Sequence, residues 1–250
     1  MTKVRIAVVT ALAALGIAAV AHAVTNTYTF SGSVSPSKAG TKKKPKPVAI
    51  KFTLGVGETA GQRPATIKSV EIAIPNGKVN SKPFPKCTVA TLTSSGPSGC
   101  PKGSQVGSGR IQSVAGQSSD PADKSLGCLV DAKAFNAAGG HLLLHVAAVP
   151  GQCAIPGLQK TIDATLKTTG TTTKLAFTIP PDLVHPIAGV DNVPISISGS
   201  VKKLTKKVKG KKVPFIASTG CSGGKHVIKA KITLENGTVE QASGSVNCKK

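Results

Sequence analysis

Aromatic residues are scarce in this chain: it contains no tryptophan, one tyrosine and six phenylalanines, so aromatics make up 3% of its 250 residues. Proteins that bind single-stranded nucleic acid stack the bases on exposed aromatic side chains, and carbohydrate-binding sandwiches commonly use flat aromatic surfaces. The residue periodicity described below places the phenylalanines largely on buried positions. The composition therefore argues against both kinds of stacking platform.

Acidic residues and arginine are scarce as well. Ten Asp and Glu residues face 32 Lys and Arg residues, which gives a formal net charge of +22 at pH 7. After the N-terminal segment the only arginines are Arg63 and Arg110, and lysine lacks the bidentate fork with which arginine binds guanine or phosphate. We therefore expect no sequence-specific nucleic-acid partner but a field that attracts polyanions. A solvated surface that keeps the protein soluble is the alternative explanation.

Recognisable catalytic and metal-binding motifs are also absent. No phosphate-binding loop, dinucleotide fingerprint or C-x2-C pair occurs, and no histidine lies at ligand spacing from a cysteine pair. The turn around Ser222 resembles the nucleophile turn of trypsin-like proteases, but Cys221 replaces the expected Asp. No flanking signature marks His141, His145 or His185 as the base that a triad needs. We predict a protein that is not an enzyme, with no catalytic residues, no cofactor and no metal site.

The N-terminus is typical of a secretory signal peptide. An uncharged apolar run follows Lys3 and Arg5, and an A-x-A site ends at Ala23. The run has about 16 residues, fewer than the roughly 20 that a bilayer span needs. We predict that residues 1–23 are removed, which leaves residues 24–250 with a formal charge of +20 and no membrane span. An uncleaved N-terminal anchor is the alternative.

Six cysteines in an exported chain indicate disulfide bonds. Six cysteines allow fifteen connectivities, of which pairing in sequence order is the simplest. Each bridge would then close a short loop and contribute roughly 3 kcal/mol in the loop-entropy model. The pairs in sequence order are Cys87 with Cys100, Cys128 with Cys153, and Cys221 with Cys248.

Alternating apolar and polar residues recur along the chain and predict β-strands with one buried face. The last such pair flanks Asn236-Gly237, the strongest two-residue hairpin signal, and the only helical expectation is one turn over 88–93. The predicted strands cover 28–34, 48–56, 70–74, 105–114, 128–135, 141–149, 162–166, 175–179, 193–201, 228–234 and 239–246. About eleven short strands predict an all-β fold, either an antiparallel β-sandwich or an open barrel, stapled by disulfides. We expect a single domain over residues 24–250.

Two lysine-rich segments, residues 37–47 and 202–212, interrupt this pattern, and the second contains a Lys209-Gly210 turn. We expect both to be exposed and to contact polyanions. The predicted contact residues are Lys42, Lys43, Lys44, Lys46, Lys206, Lys207, Lys209, Lys211 and Lys212. Lysines at hairpin tips and edges also block edge-to-edge aggregation, which is an alternative role.

Several motifs carry a resemblance to a known group of proteins. They are P-K-C-T-V-A-T-L and G-C-P-K-G-S-Q-V-G-S-G around the first two cysteines, and G-K-K-V-P-F, C-S-G-G, E-N-G-T and S-V-N-C-K-K near the C-terminus. Together they resemble uncharacterised exported, cysteine-paired, β-rich proteins of soil actinobacteria. The resemblance covers most of the mature chain. It implies export and a β-rich fold, and it carries no activity.

These observations favour an exported, non-enzymatic structural or adhesive module at the cell surface or in the extracellular space. Its partners would be anionic cell-wall or extracellular polymers, held through the lysine-rich segments. One alternative is a secreted hydrolase whose site assembles from residues distant in sequence. Another is a binding protein for a small apolar ligand between the sheets. A filled core with both lysine segments together would favour the first function, and a pocket with convergent polar groups would favour the hydrolase.

Overall fold

The computed structural model describes residues 25–155 and 157–249, so the predicted signal peptide and its cleavage site lie outside the described residues. Sixteen strands and two short helices occur in the described chain. The helices are α1 (Val89–Ser95) and α2 (Pro181–Val184). The strands are β1 (Asn26–Ser35), β2 (Lys46–Pro47), β3 (Ala49–Glu58), β4 (Ile67–Pro75), β5 (Gly77–Val79), β6 (Gln105–Gln117), β7 (Leu126–Asn136), β8 (His141–Cys153), β9 (Gln159–Thr169), β10 (Thr172–Thr178), β11 (Val190–Val201), β12 (Thr205–Val208), β13 (Lys211–Pro214), β14 (Ile216–Ser218), β15 (Lys225–Leu234) and β16 (Val239–Asn247).

Eleven of these strands form one antiparallel sheet in the order β1-β3-β11-β6-β7-β8-β9-β10-β4-β15-β16. The sheet is nearly closed, because its two edge strands, β1 and β16, lie beside each other. The all-β prediction is confirmed, and this sheet corresponds to the expected eleven strands. The sequence pattern did not separate the short strands β2, β5, β12, β13 and β14, since two to four residues are too few to display a period of two.

Side chains join the two edges of the sheet where no backbone ladder connects them. Glu240 of β16 accepts hydrogen bonds from the Asn26 backbone N–H at 3.0 Å and from the Tyr28 hydroxyl at 2.5 Å. Two residues further along β1, the Phe30 ring lies over Gly244 of β16, where an added Cβ would be 1.9 Å from the ring. Burial, together with the hydrogen bond to Glu240, raises the pKa of Tyr28, so its hydroxyl stays a donor.

A filled core occupies the interior of the nearly closed sheet. Val106, Leu142 and Ala164 of the main sheet pack against Phe215 and Ile216, which lead into β14. The segment from Phe215 to Thr219 is buried along its whole length. It pairs with β2 on one side and β5 on the other, so a small three-stranded sheet covers one end of the core. Burial of each such large apolar side chain contributes about 1.5–3 kcal/mol.

The structure pairs all six cysteines in sequence order, as predicted. The bridges are Cys87–Cys100, Cys128–Cys153 and Cys221–Cys248. Three disulfides are typical of a protein that folds in an oxidising, extracytoplasmic compartment. No helix in the described ranges has the length and apolar character that a bilayer span requires.

The predicted helical turn over 88–93 is found as α1, one residue later and slightly longer. Thr88 caps it, because its hydroxyl accepts a hydrogen bond from the Thr91 backbone N–H. Leu92 is buried and packs with Phe135 and Leu143 on the outer side of the main sheet. The first disulfide belongs to the same cluster and holds the helix against β7 and β8.

Candidate functional site

Because the main sheet is antiparallel, the segments that connect its strands lie at two opposite ends of the sheet. Residues 36–48 follow the end of β1 and residues 202–215 follow the end of β11, and in the sheet register these two strand ends lie on the same side. We call this side, with its two lysine-rich connections, the lysine end. Its lysines in these connections are Lys38, Lys42, Lys43, Lys44, Lys46, Lys202, Lys203, Lys206, Lys207, Lys209, Lys211 and Lys212.

The first lysine segment is a short turn fixed to the three-stranded sheet. The Thr41 hydroxyl accepts a hydrogen bond from the Lys44 backbone N–H at 3.0 Å, and the Thr41 N–H donates to the Lys44 carbonyl at 3.0 Å. Gly40 is buried against the backbones of Lys46 and Ser218, where a Cβ would be 2.4 Å from both. Lys42, Lys43 and Lys44 are therefore exposed on a turn with a fixed base, whereas Lys46 is half-buried in β2.

The second lysine segment is a hairpin made of β12 and β13. Lys209 and Gly210 both have positive φ, at 47° and 76°, as a two-residue hairpin turn requires. Lys207 lies directly opposite Lys212 in the register. Like charges on opposite residues of a strand pair are unfavourable for stability. The repulsion between Lys207 and Lys212 therefore lowers the stability of the hairpin.

The two segments lie near each other because both are attached to β14. Lys46 of β2 is the register partner of Ser218. Lys212 precedes Ser218 by six residues, which an extended chain spans in at most about 22 Å, and paired strands lie about 5 Å apart. The lysines proposed from the sequence as polyanion contacts thus lie at the same end of the main sheet, on two segments that are both joined to β14. None of the ion pairs in the described part of the chain involves any of them.

Acidic residues are concentrated at the opposite end of the sheet, which we call the acid end. It carries seven of the ten acids: Glu58, Asp120, Asp123, Asp182, Asp191, Glu235 and Glu240. The other three lie within strands and are ion-paired: Glu71 with Lys174, Asp131 with Arg110, and Asp163 with His141. Neither lysine-rich connection, 36–48 or 202–215, contains an acidic residue, so acids and these lysines are concentrated at different ends of the sheet.

The side chains of Arg63 and His185 hold the segments of the acid end together through hydrogen bonds. Arg63 is 4% exposed and donates to the backbone carbonyls of Gln117 and Asp123, with Asp191 3.6 Å away. Hydrogen bonds from the Gln117 backbone N–H and from Ser125 lower the pKa of Asp123 to about 2, so this carboxylate stays charged.

Both ring nitrogens of His185 contact carboxylates, Nδ1 with Asp191 and Nε2 with Glu235, each at 3.0 Å. Burial opposes the charged form, but the hydrogen bonds and charges of these two carboxylates outweigh it and raise the pKa of His185. Ser118 donates its hydroxyl hydrogen bond to Asp191 and not to the imidazole. The cluster has the composition of a catalytic triad, but its imidazole has no nitrogen free to act as a base.

The remaining residues weighed for catalysis are kept apart by the fold. The Ser222 hydroxyl accepts a hydrogen bond from the Asn76 amide at 3.0 Å. His141 contacts Asp163 at the surface. His145 is 4% exposed and contacts Thr161.

The core offers little space for a small apolar ligand. The cavity between β1, β3 and the three-stranded sheet has a volume of about 30 Å³ and is lined mostly by apolar side chains. This is room for little more than a water molecule. All six phenylalanines and Tyr28 are buried or half-buried, so the described chain presents no exposed aromatic surface.

Sequence reasoning identified the two lysine segments but missed the acid end, because its seven acids are spread from residue 58 to residue 240. Comparison with known proteins gave no match to any family model, curated protein or solved structure.

Proposed function

We propose that the protein is an exported, non-enzymatic structural or adhesive module that contacts anionic cell-wall or extracellular polymers through the lysine end. The observation that carries this proposal is that both lysine-rich connections leave the same end of the main sheet and that neither contains an acidic residue. An arrangement this one-sided raises the local potential far above that of evenly spread lysines. The filled core and the buried or half-buried aromatic rings fit a contact made by charge rather than by an apolar cavity in the core or by stacking.

The opposed lysines in the hairpin add a second argument. If the charge served solubility alone, lysines could be spread over any exposed position without like-charge pairs. Lys207 and Lys212 instead face each other across β12 and β13, where an opposite charge would stabilise the hairpin by about 0.2–1 kcal/mol. Binding of a polyanion relieves this repulsion and releases counterions, which drives association.

The acid end has a distinct consequence for how the module would bind. Its carboxylates would be repelled by the same polymer that attracts the lysine end. The protein would therefore bind end-on, with the acid end facing away from the polymer. This orientation suits an adhesive or coating module, which must hold one surface while it leaves another free.

Charge-matched variants test this proposal. We would compare Lys42, Lys43 and Lys44 changed together to Gln with Lys68, Lys229 and Lys231 changed together to Gln. All six lysines are exposed, and both variants lose three charges. Binding to heparin, used as a model polyanion, would be measured by calorimetry between low and physiological salt.

We expect the first variant to bind at least about tenfold more weakly, with a shallower salt dependence, because fewer counterions are released. The control variant should bind nearly as the wild type does. Equal losses in both variants would mean that only net charge matters, and the proposed site would then be wrong. A triple Gln variant of Lys207, Lys209 and Lys211 should behave like the first.

A further inference from the structure

The imidazole of His226 lies beside the Cys221–Cys248 disulfide. Ser222 and Lys225 exchange backbone hydrogen bonds of 2.9 and 3.0 Å around two glycines with positive φ. This tight turn folds Cys221 back so that it lies opposite His226. The sulfur atoms of both cysteines and one ring nitrogen of His226 lie within 4.8 Å of one another.

Cys248 reaches the same place from the last strand. Val246 is the register partner of His226, and Cys248 lies two residues further along, so it is on the same face of the sheet. Its backbone N–H donates to the Gly224 carbonyl at 2.8 Å, which ties the chain end to the turn. Three segments therefore bring one imidazole and two sulfurs together.

His226 itself lacks the partner that a buried imidazole usually has. Its Nε2 is buried without a hydrogen-bond partner, and such groups in native structures call for a specific explanation. An imidazole nitrogen without a hydrogen-bond partner is available as a metal ligand.

We propose that, once a dithiol reductant has opened the Cys221–Cys248 bond, the two sulfurs and His226 bind a divalent cation of the zinc class. The dithiol is oxidised to its own disulfide and its two electrons and two protons convert the bridge to two thiols. Binding of the cation then releases both thiol protons and forms two metal–sulfur bonds and one metal–nitrogen bond. Cys2His with a fourth position for water is an established ligand set for zinc.

The geometry fits this ligand set. Tetrahedral zinc with Zn–S near 2.3 Å and Zn–N near 2.1 Å needs sulfurs about 3.8 Å apart and sulfur–nitrogen distances of about 3.6 Å. These separations are within the 4.8 Å that the three ligand atoms span. The sulfurs must move apart when the bond opens. The turn at Gly223 and Gly224, both with positive φ, lies between Cys221 and His226 and is where this movement would be absorbed.

The other two disulfides serve as internal controls. Within the described residues, Cys221, His226 and Cys248 are the only group of three His, Cys, Asp or Glu side chains close enough to share a cation. Reduced Cys87–Cys100 and Cys128–Cys153 offer two sulfurs each but no imidazole or carboxylate at that distance. A cation should therefore select one of three otherwise similar bridges.

Cobalt(II) titration of the reduced full chain tests the proposal, because thiolate coordination gives cobalt a strong near-ultraviolet charge-transfer band. We expect one equivalent of tight binding to the reduced protein and none to the oxidised protein. His226→Asn should weaken binding by more than tenfold, since loss of even an outer-shell partner of a metal ligand lowers affinity about 10- to 100-fold. His141→Asn, which changes a histidine that pairs with Asp163 and is not part of this group of ligands, should leave it unchanged.

A second measurement covers the case in which the reduced chain loosens. Reoxidation would be followed by alkylation and peptide mapping with and without zinc. Zinc should delay the Cys221–Cys248 bridge several-fold more than the other two, and His226→Asn should abolish the difference. A reduced chain that binds no cobalt, folded or not, or one in which zinc delays all three bridges equally, would overturn the proposal.

Discussion

His185 is the residue whose protonation most directly affects the acid end, because it links Asp191 of β11 to Glu235 beyond β15. Its pKa is raised in the folded protein. The stability that it contributes is therefore fully present below the unfolded pKa of about 6.5 and is lost as pH rises through the folded pKa. The side chain is 43% exposed, so solvent screening keeps the effect modest.

We predict that the stability difference between wild type and His185→Gln is largest near pH 5.5 and shrinks as pH rises past the raised pKa. Urea unfolding at several pH values measures it. Burial lowers the pKa values of His145 and His226, so their contributions are present above about pH 6.5 and are lost as pH falls. The contributions of His145 and His226 are the same in wild type and in His185→Gln, so they cancel in the stability difference between the two proteins. A difference that grows with pH would contradict the imidazolium bridge.

The second prediction at the residue scale concerns Gly244. An added Cβ would be 1.9 Å from the Phe30 ring, so Gly244→Ala should push the two edge strands apart and destabilise the protein by about 1–3 kcal/mol, the usual range for overpacking. The control is Gly127→Ala, because nothing lies within 4 Å of a Cβ at that position. Chemical denaturation measures both.

Phe30→Leu should restore much of the stability lost in Gly244→Ala, because the smaller side chain makes room for the methyl group. A double-mutant cycle measures that coupling. If Gly244→Ala were as mild as Gly127→Ala, the edges would not be packed as the structure describes.

At the scale of elements, one substitution in the β12–β13 hairpin should change its stability and its polyanion binding in opposite directions. Lys212→Glu places an acid opposite Lys207. It should stabilise the hairpin by about 0.2–1 kcal/mol and weaken polyanion binding in the same molecule. Amide hydrogen exchange over residues 205–214 reports the first effect and heparin calorimetry the second.

Lys229→Glu provides a control for the change in net charge, because Lys229 is exposed on β15 and lies opposite Ala73 in β4. It should weaken polyanion binding much less than Lys212→Glu does. If Lys212→Glu made the hairpin exchange faster, the like-charge pair would not be a source of instability.

At the scale of the whole molecule, the separation of charge between the two ends predicts an oriented footprint. Bound heparin should protect the lysines of 42–44 and 206–212 from acetylation, while Lys68 near the acid end and Lys229 on the side of the sheet stay reactive. Quantitative mass spectrometry of the acetylated peptides measures this. Uniform protection would mean that the whole surface binds, and reversed protection would rule out an end-on contact.

The sequence by itself determined the eleven long strands, favoured the disulfide pairing that the structure has, and indicated the exposure of most of the lysines in the two segments. These features depend on local information: the period-two pattern, the hairpin turns such as Asn236-Gly237, and cysteines close enough in sequence for the nearest pairing to be the simplest. For the same reason, short strands such as β2 and β14 were missed, since each is defined by its partners and not by its own two or three residues.

Only the tertiary structure decided which distant residues meet. The order of the eleven strands places the connections 36–48 and 202–215 at the same end of the sheet and gathers seven acids from across the chain at the other end. The pairing of β15 with β16, together with the turn between Ser222 and Lys225, brings His226 to the Cys221–Cys248 bridge. The physical reason is that strand order is set by packing against neighbouring strands that are distant in sequence, which alternation within one strand does not encode. Charge and metal-binding geometry follow from that order.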